Sequence, residues 1–166
     1  MKGLTVTRDL LDGVVQSIKT MGEKRVLIGI PRPKASRKGD DIGNAALGYI
    51  HETGSGARNI PARPFLVPGV REAEPEVLKI LKDAARQSVS FAKGTVDKGA
   101  VDRGLNAAGL VAQATVKRTL RDGTDFRPLS HATLAARRRK GFMGEKPLVR
   151  TGQLLNSITY VIRDRT

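Results

Sequence analysis

At 166 residues and 17.9 kDa the chain is long enough for one domain with its own hydrophobic core and too short to favour two. Its 30 Lys and Arg against 16 Asp and Glu leave a net charge of +14, which favours an anionic partner: nucleic acid, an acidic protein surface or anionic lipid. The absence of cysteine excludes disulfides, thiolate catalysis and thiolate metal sites, and with 4% aromatic residues and no tryptophan the stacking platforms of single-strand binders are poorly supplied.

In chain order, Leu10 or Leu11, Val14, Val15, Ile18 and Met21 share one face of an amphipathic helix, capped by Thr7 or Asp9 and ended by Gly22, that is expected to pack on a sheet. The apolar run after Arg25, Val-Leu-Ile-Gly-Ile30, reads as a buried strand bounded by Pro31. Residues 31–41 hold too few apolar side chains to order themselves, so they read as a mobile basic loop carrying Arg32, Lys34, Arg37 and Lys38. Asn44 is placed to cap a helix through Ala45, Ala46, Tyr49 and Ile50 that stops near Thr53 at Gly54. Beyond it, Gly54 and Gly56 free the backbone while Pro61 and Pro64 stiffen it, which predicts a projecting hook that exposes Arg58, Asn59 and Arg63. Ile60, Phe65 and Leu66 lie along the same strap, the last two returning apolar side chains to the body.

Pro68-Gly69 is read as a break, followed by a helix from about Val70 to Phe91 whose Glu72, Glu74 and Glu76 suit its positive end. A turn through Gly94 to Gly99 leads to a partner helix from about Ala100 to Leu120, and the two are expected to form a hairpin. Gly104, Ala107, Ala108, Gly109, Ala112 and Ala114 keep this second helix thin enough for close approach. Ser130 can cap a short helix that ends in Arg137, Arg138, Arg139 and Lys140, where cations favour the helix terminus and also offer a partner contact. Thr151 can cap a brief helical turn through Leu155, and from Ser157 an alternating pattern makes a terminal strand able to pair with 25–30. The expectation is a single α+β domain over 1–166: a small antiparallel sheet packed against several helices, including a long helical hairpin, with a Gly/Pro-rich hook.

Catalytic patterns fail at specific positions. His51-Glu52 begins like a helical zinc-protease motif, but Ser55 stands where the second histidine belongs and His131 is the only other histidine. Gly54-Ser-Gly-Ala-Arg-Asn59 lacks the third glycine of a dinucleotide fingerprint, no acidic residue stands two before a lysine, and there is no Gly-x-Ser-x-Gly elbow. The reading is a non-enzyme without cofactor or metal. No apolar run approaches the roughly 20 residues of a membrane span, and the N-terminus lacks a signal-peptide segment, so a soluble, unexported protein with no membrane partner is expected.

Two motif groups point to a family. Gly48-Tyr-Ile-His-Glu-Thr-Gly54 with Ile60-Pro-Ala-Arg-Pro-Phe-Leu66 forms one. Phe126-Arg-Pro-Leu-Ser130, Thr133 to Gly141 and Pro147-Leu-Val-Arg-Thr-Gly-Gln-Leu-Leu-Asn-Ser-Ile-Thr-Tyr160 form the other. Together they resemble the tailed-bacteriophage virion morphogenesis family, which includes Mu-like morphogenesis proteins, minor tail proteins and HK97-type neck or tail-completion proteins. Order and approximate spacing match from Arg25 to Arg163, the 31–41 insert being less typical. The resemblance implies a structural protein of the virion head–tail junction, made in the host bacterial cytoplasm. It would form a sixfold or twelvefold ring that joins heads and tails by contact with other neck, connector or tail-terminator proteins. Arg58, Asn59, Ile60, Arg63, Phe65 and Arg137 to Arg139 are the expected contacts with subunits or partners, with the arginines pairing to carboxylates. The alternative is sequence-blind DNA binding through Arg32, Lys34, Arg37 and Lys38.

Overall fold

The computed structural model describes residues 11–36, 42–90, 95–97, 99–123 and 126–165. Among them are six α-helices: α1 (Leu11–Glu23), α2 (Asn44–Thr53), α3 (Leu66–Ser88), α4 (Ala100–Asp122), α5 (His131–Arg139) and α6 (Gln153–Ser157). Four short strands, β1 (Lys24–Gly29), β2 (Val89–Ser90), β3 (Thr95–Val96) and β4 (Thr159–Asp164), complete an α+β fold. β1 pairs with β4, as the apolar run and the terminal alternation suggest. The Arg165 N–H donates to the Glu23 carbonyl, so the end of β4 meets the start of β1, the antiparallel sense. β2 and β3 form a second, antiparallel pair with Val89 opposite Val96.

The chain divides into two compact units whose boundary falls within β1, α3, α4 and β4. The first comprises Met1–Leu27, Pro75–Val111 and Ile162–Thr166. Here the end of α3 meets the start of α4 through small residues: Ala84, Ala100, Val101, Leu105 and Ala108 are buried, and a side chain on Gly104 would overlap that of Ala84. The thin face of α4 is thus used within the chain. Lys24 reaches Asp102 in the first turn of α4 at 2.5 Å, and this pairing raises the pKa of the lysine. Helix α1 departs from expectation. Ser17 is buried and Val14 and Met21 are half-buried, lining a cavity with Ala85 and Ser88 of α3, while Val15 and Ile18 are exposed. Periodicity locates an apolar face but not how much of it a neighbour covers.

The second unit comprises Ile28–Glu74 and Ala112–Val161. Its core is Phe65, Val116, Leu120, Leu154 and Ile158, with Ile28, Ile30, Leu66, Phe126, Leu148, Val149 and Leu155 packed around it. Gly48 lets α2 approach this core, since a Cβ there would sit 3.1 Å from Ile30 Cδ1. Glu72 joins the start of α3 to α4 through Arg118 at 2.8 Å and Thr119 at 3.2 Å, which fits a structural role for that carboxylate. Gln113 ties α4 to β4 by accepting from Thr159 Oγ1 and the Tyr160 N–H.

Three local expectations are corrected. Pro68-Gly69 does not break the chain: α3 begins at Leu66 and runs through both residues. A proline in the first helical turn gives up an N–H that has no intrahelical partner, and Gly69 permits close contact, its would-be Cβ lying 2.7 Å from Val116 Cα. Asn44 is the first helical residue and Gly43 the cap. The Asn44 side chain instead donates to the carbonyls of Lys34 (3.4 Å) and Ser36 (3.0 Å), while its N–H donates to Ala35. In this way the chain itself holds residues 32–36, where Arg32–Lys34 form a single 3-10 turn, without an added partner. Arg37 and Lys38 lie outside the described residues. Finally, Gly152 at φ 72°, not Thr151, caps α6.

Candidate functional site

The Gly/Pro strap folds back on the helix it leaves. Gly54 ends α2 at φ 79°, donating to Ile50 at 2.7 Å, and a Cβ there would lie 2.9 Å from the Ala62 nitrogen, so the position suits glycine alone. Ser55 and Ile60 exchange both backbone hydrogen bonds at 2.9 Å, closing a small loop whose tip is the 3-10 turn Gly56–Arg58 and whose return is Asn59 in the left-handed region. The Arg63 N–H then donates to the His51 carbonyl at 2.7 Å. Glu52, one residue before the end of α2, completes the brace. Its carboxylate accepts from the N–H groups of Phe65, Leu66 and Val67 at 2.8 to 2.9 Å, and so caps the first turn of α3.

Arg63 is not presented outward as expected. It is buried, and its guanidinium donates to the carbonyls of Arg127 (3.0 Å) and Pro128 (3.4 Å), sixty-odd residues away. Phe65 is likewise 2% exposed, within the core. The outward presentation expected of Arg63 is therefore corrected: it braces its own unit from the wall of a cleft, and Phe65, named with it as a contact, packs in the core. Arg58 and Asn59 at the loop tip are exposed, Ile60 is half-buried, and Arg32 and Lys34 are exposed on their 3-10 turn.

Ser130 caps α5 as anticipated, its hydroxyl accepting from the Thr133 N–H. The basic run at the end of this helix then splits into different roles. Arg137, half-buried, donates to the carbonyls of Gly144 (3.0 Å) and Lys146 (2.9 Å) and so closes the following loop. Arg138 is exposed and pairs with Glu145 at 3.0 Å, and Arg139 is exposed.

Between strap, α5 and the segment before α6 lies a cleft of about 830 Å³ within the second unit. Asn59, Ile60, Pro61 and Arg63 line one side, residues 127–140 another, and 148–154 a third, with His51 in the wall. Among the described residues that line it, five are cations, Arg63, Arg127, Arg137, Lys140 and Arg150, and none is acidic. Burial, then the charge of Arg127, lowers the pKa of Arg63; burial, then Arg150 and Arg63, lowers that of Arg137. Both guanidiniums are held in place by neutral carbonyls rather than by carboxylates.

Sequence reasoning missed Arg127, Arg150 and Glu52 as parts of this arrangement. Arg127 and Arg150 each stood inside a motif, Phe126-Arg-Pro and Val149-Arg-Thr, but nothing local showed that the motifs converge. A carboxylate at a helix end followed by a proline-rich link to another helix start was the available signal for Glu52. Among the described residues no three His, Asp or Glu side chains converge as a metal site would require. No described helix is long and apolar enough to cross a membrane. Compared with family models, curated proteins and solved structures, the chain matches none.

Proposed function

We propose that this chain is a structural subunit of the head–tail junction of a tailed-phage virion, acting by holding protein surfaces together rather than by transforming a substrate. One observation carries the reading. The two motif groups that resemble the virion morphogenesis family lie far apart in sequence, yet residues of both (His51, Ile60, Pro61 and Arg63 of one; Arg127 to Ser130, Thr133, Ala136, Arg137, Lys140, Leu148 and Arg150 to Leu154 of the other) line a single cleft. Both groups also supply core residues, Phe65, Leu154 and Ile158 among them, but it is their charged side chains that gather at this surface, as a shared docking role requires. Exposed Arg58 and Asn59 at the tip of the braced loop supply a rigid contact beside it, and the ring expected from the resemblance would repeat that contact.

The test is direct: mass spectrometry of complete particles from the phage that encodes the chain, with analytical ultracentrifugation of the purified protein. The reading expects the chain in the particle and an oligomer in solution, with Arg58→Glu reducing head–tail joining while the fold is kept. A monomer that is absent from particles overturns it. Sequence-blind DNA contact is the second reading, favoured by the net charge of +14 and by the exposed Arg32 and Lys34. It expects duplex affinity that collapses as salt is raised.

A further inference from the structure

The cleft has the chemistry of a receptor for one kind of partner. Its cations differ in depth: Arg63 is 6% exposed, Arg137 is half-buried, and Arg127 and Lys140 stand exposed at the mouth. Between them the walls carry Ile42, Leu47, Ile60, Pro61, Leu129 and Leu148. A ligand must therefore present negative charge on stems long enough to reach inward, alternating with apolar groups. A volume of about 830 Å³ lies in the range of roughly 300 to 1,000 Å³ that encloses a small molecule or a few side chains. Duplex phosphates lie on the outside of a wide rigid cylinder and cannot descend to Arg63, whereas aspartate and glutamate side chains can, and guanidinium matches carboxylate in a bidentate fork.

Backbone strain gives an independent sign. Among the described residues two non-glycine residues have left-handed backbone, Asn59 at φ 51° and Leu148 at φ 63°, and both lie in the walls of this cleft. For a leucine that conformation is unfavourable, and such strain gathers at ligand clamps where the surroundings hold it in place. The paired Ser55 and Ile60 close the loop around Asn59, and Arg137, bound to the Gly144 and Lys146 carbonyls, fixes the chain that leads to Leu148.

We infer that the cleft bounded by the Gly/Pro strap, α5 and the 148–154 segment binds an extended acidic segment of another polypeptide, carboxylates meeting Arg127, Lys140 and the inner guanidiniums while apolar side chains fill the spaces between. The segment belongs to a different chain rather than a second copy, because this chain's own alternating acidic run, Glu72-Ala-Glu-Pro-Glu76, is folded into α3 and is not presented as an extended strand. That the donor is a virion neighbour rests on the function proposed above; the peptide chemistry does not.

The experiment uses the full-length purified protein and a fluorescent synthetic peptide alternating Asp and Leu, followed by anisotropy, with a labelled random-sequence DNA duplex in parallel. Arg127→Ala combined with Lys140→Ala removes two mouth cations and leaves the Arg127 carbonyl that holds Arg63 intact. This variant is expected to weaken the peptide by about tenfold or more, while Arg71→Ala with Lys79→Ala, on the exposed face of α3 outside the cleft, removes equal charge with less than about a twofold effect. The Gln versions, Arg127→Gln with Lys140→Gln, keep the side-chain stems and must reproduce the loss; circular dichroism confirms that each variant is folded. The inference is overturned if the peptide does not saturate, if the two charge-matched variants weaken it equally, or if the cleft variant loses duplex rather than peptide. Peptide binding is read on the isolated protein and particle content by mass spectrometry, so one reading can fail while the other stands.

Discussion

Removing the carboxylate of Glu52 tests whether the strap is a brace. Three N–H groups converge on it, those of Phe65 and Leu66 on Oε2 and that of Val67 on Oε1, and the first two are partly buried. Glu52→Ala strands them. A lost cap costs about 0.5 to 2 kcal/mol in typical helices. Here the capping group is charged and two donors sit away from water, where each unsatisfied group costs about 1 to 3 kcal/mol. Relaxation of the first turn and entry of water recover part of that, so we expect a loss of about 2 to 3 kcal/mol. For a chain of this size that is a fall of roughly 5 to 10 °C in Tm. Glu52→Gln keeps one carbonyl oxygen, able to accept from Phe65 and Leu66 together, but turns an amide donor toward Val67 and removes the charge. Its cost should be about 1 kcal/mol. Urea unfolding followed by far-UV circular dichroism measures both, and the order Ala worse than Gln worse than wild type is as diagnostic as the magnitudes. A Glu52→Ala protein within about 0.5 kcal/mol of wild type, the scatter of an ordinary surface change, would refute the brace.

Other substitutions probe the same framework. Gly69→Ala would place a Cβ 2.7 Å from Val116 Cα and 3.0 Å from Val116 Cγ2, so despite the better helix propensity of alanine it should destabilise by about 1 to 3 kcal/mol. Gly22→Ala meets nothing within 4 Å and should stabilise by up to about 1 kcal/mol; thermal melts of the pair read opposite signs. Arg63→Lys keeps the charge but offers a single ammonium where the planar guanidinium reached two carbonyls, and should cost about 1 to 3 kcal/mol in urea titrations. Asp97 accepts from Arg103 and from the Gly99 N–H at the start of α4, interactions that hold its pKa below the usual range. Its contribution is therefore fully present above the unfolded carboxylate value near 4 and drains away as pH falls from there toward the lower folded value. Asp97→Asn should flatten that part of the acid limb of a stability-versus-pH curve.

Elements governed by local rules were legible. The end of α2 at Gly54, the Ser130 cap of α5, the span of α4 and the pairing of the terminal strand with β1 all follow from capping chemistry and periodicity, which operate over a few residues. The start of α3 was misplaced because Pro-Gly is a breaker only where no distant carboxylate satisfies the turn, and Glu52 lies 13 to 15 residues upstream. A charged residue in a proline-rich link is usually exposed, whereas the burial of Arg63 depends on carbonyls 64 and 65 residues away.

The order of the six helices and of β1 and β4, and the strong positive charge, were thus determined by the sequence itself, since each arises from neighbouring residues or from composition; the short β2–β3 pair instead falls where the helix pattern runs on to Phe91. Only the tertiary structure decided which arginines turn inward, which apolar residues of α1 stay exposed and that segments around residues 60, 127, 137 and 150 enclose one cavity. Burial and electrostatic potential depend on distance in space. That distance is fixed by how the elements pack, and the local pattern of a single segment does not contain it.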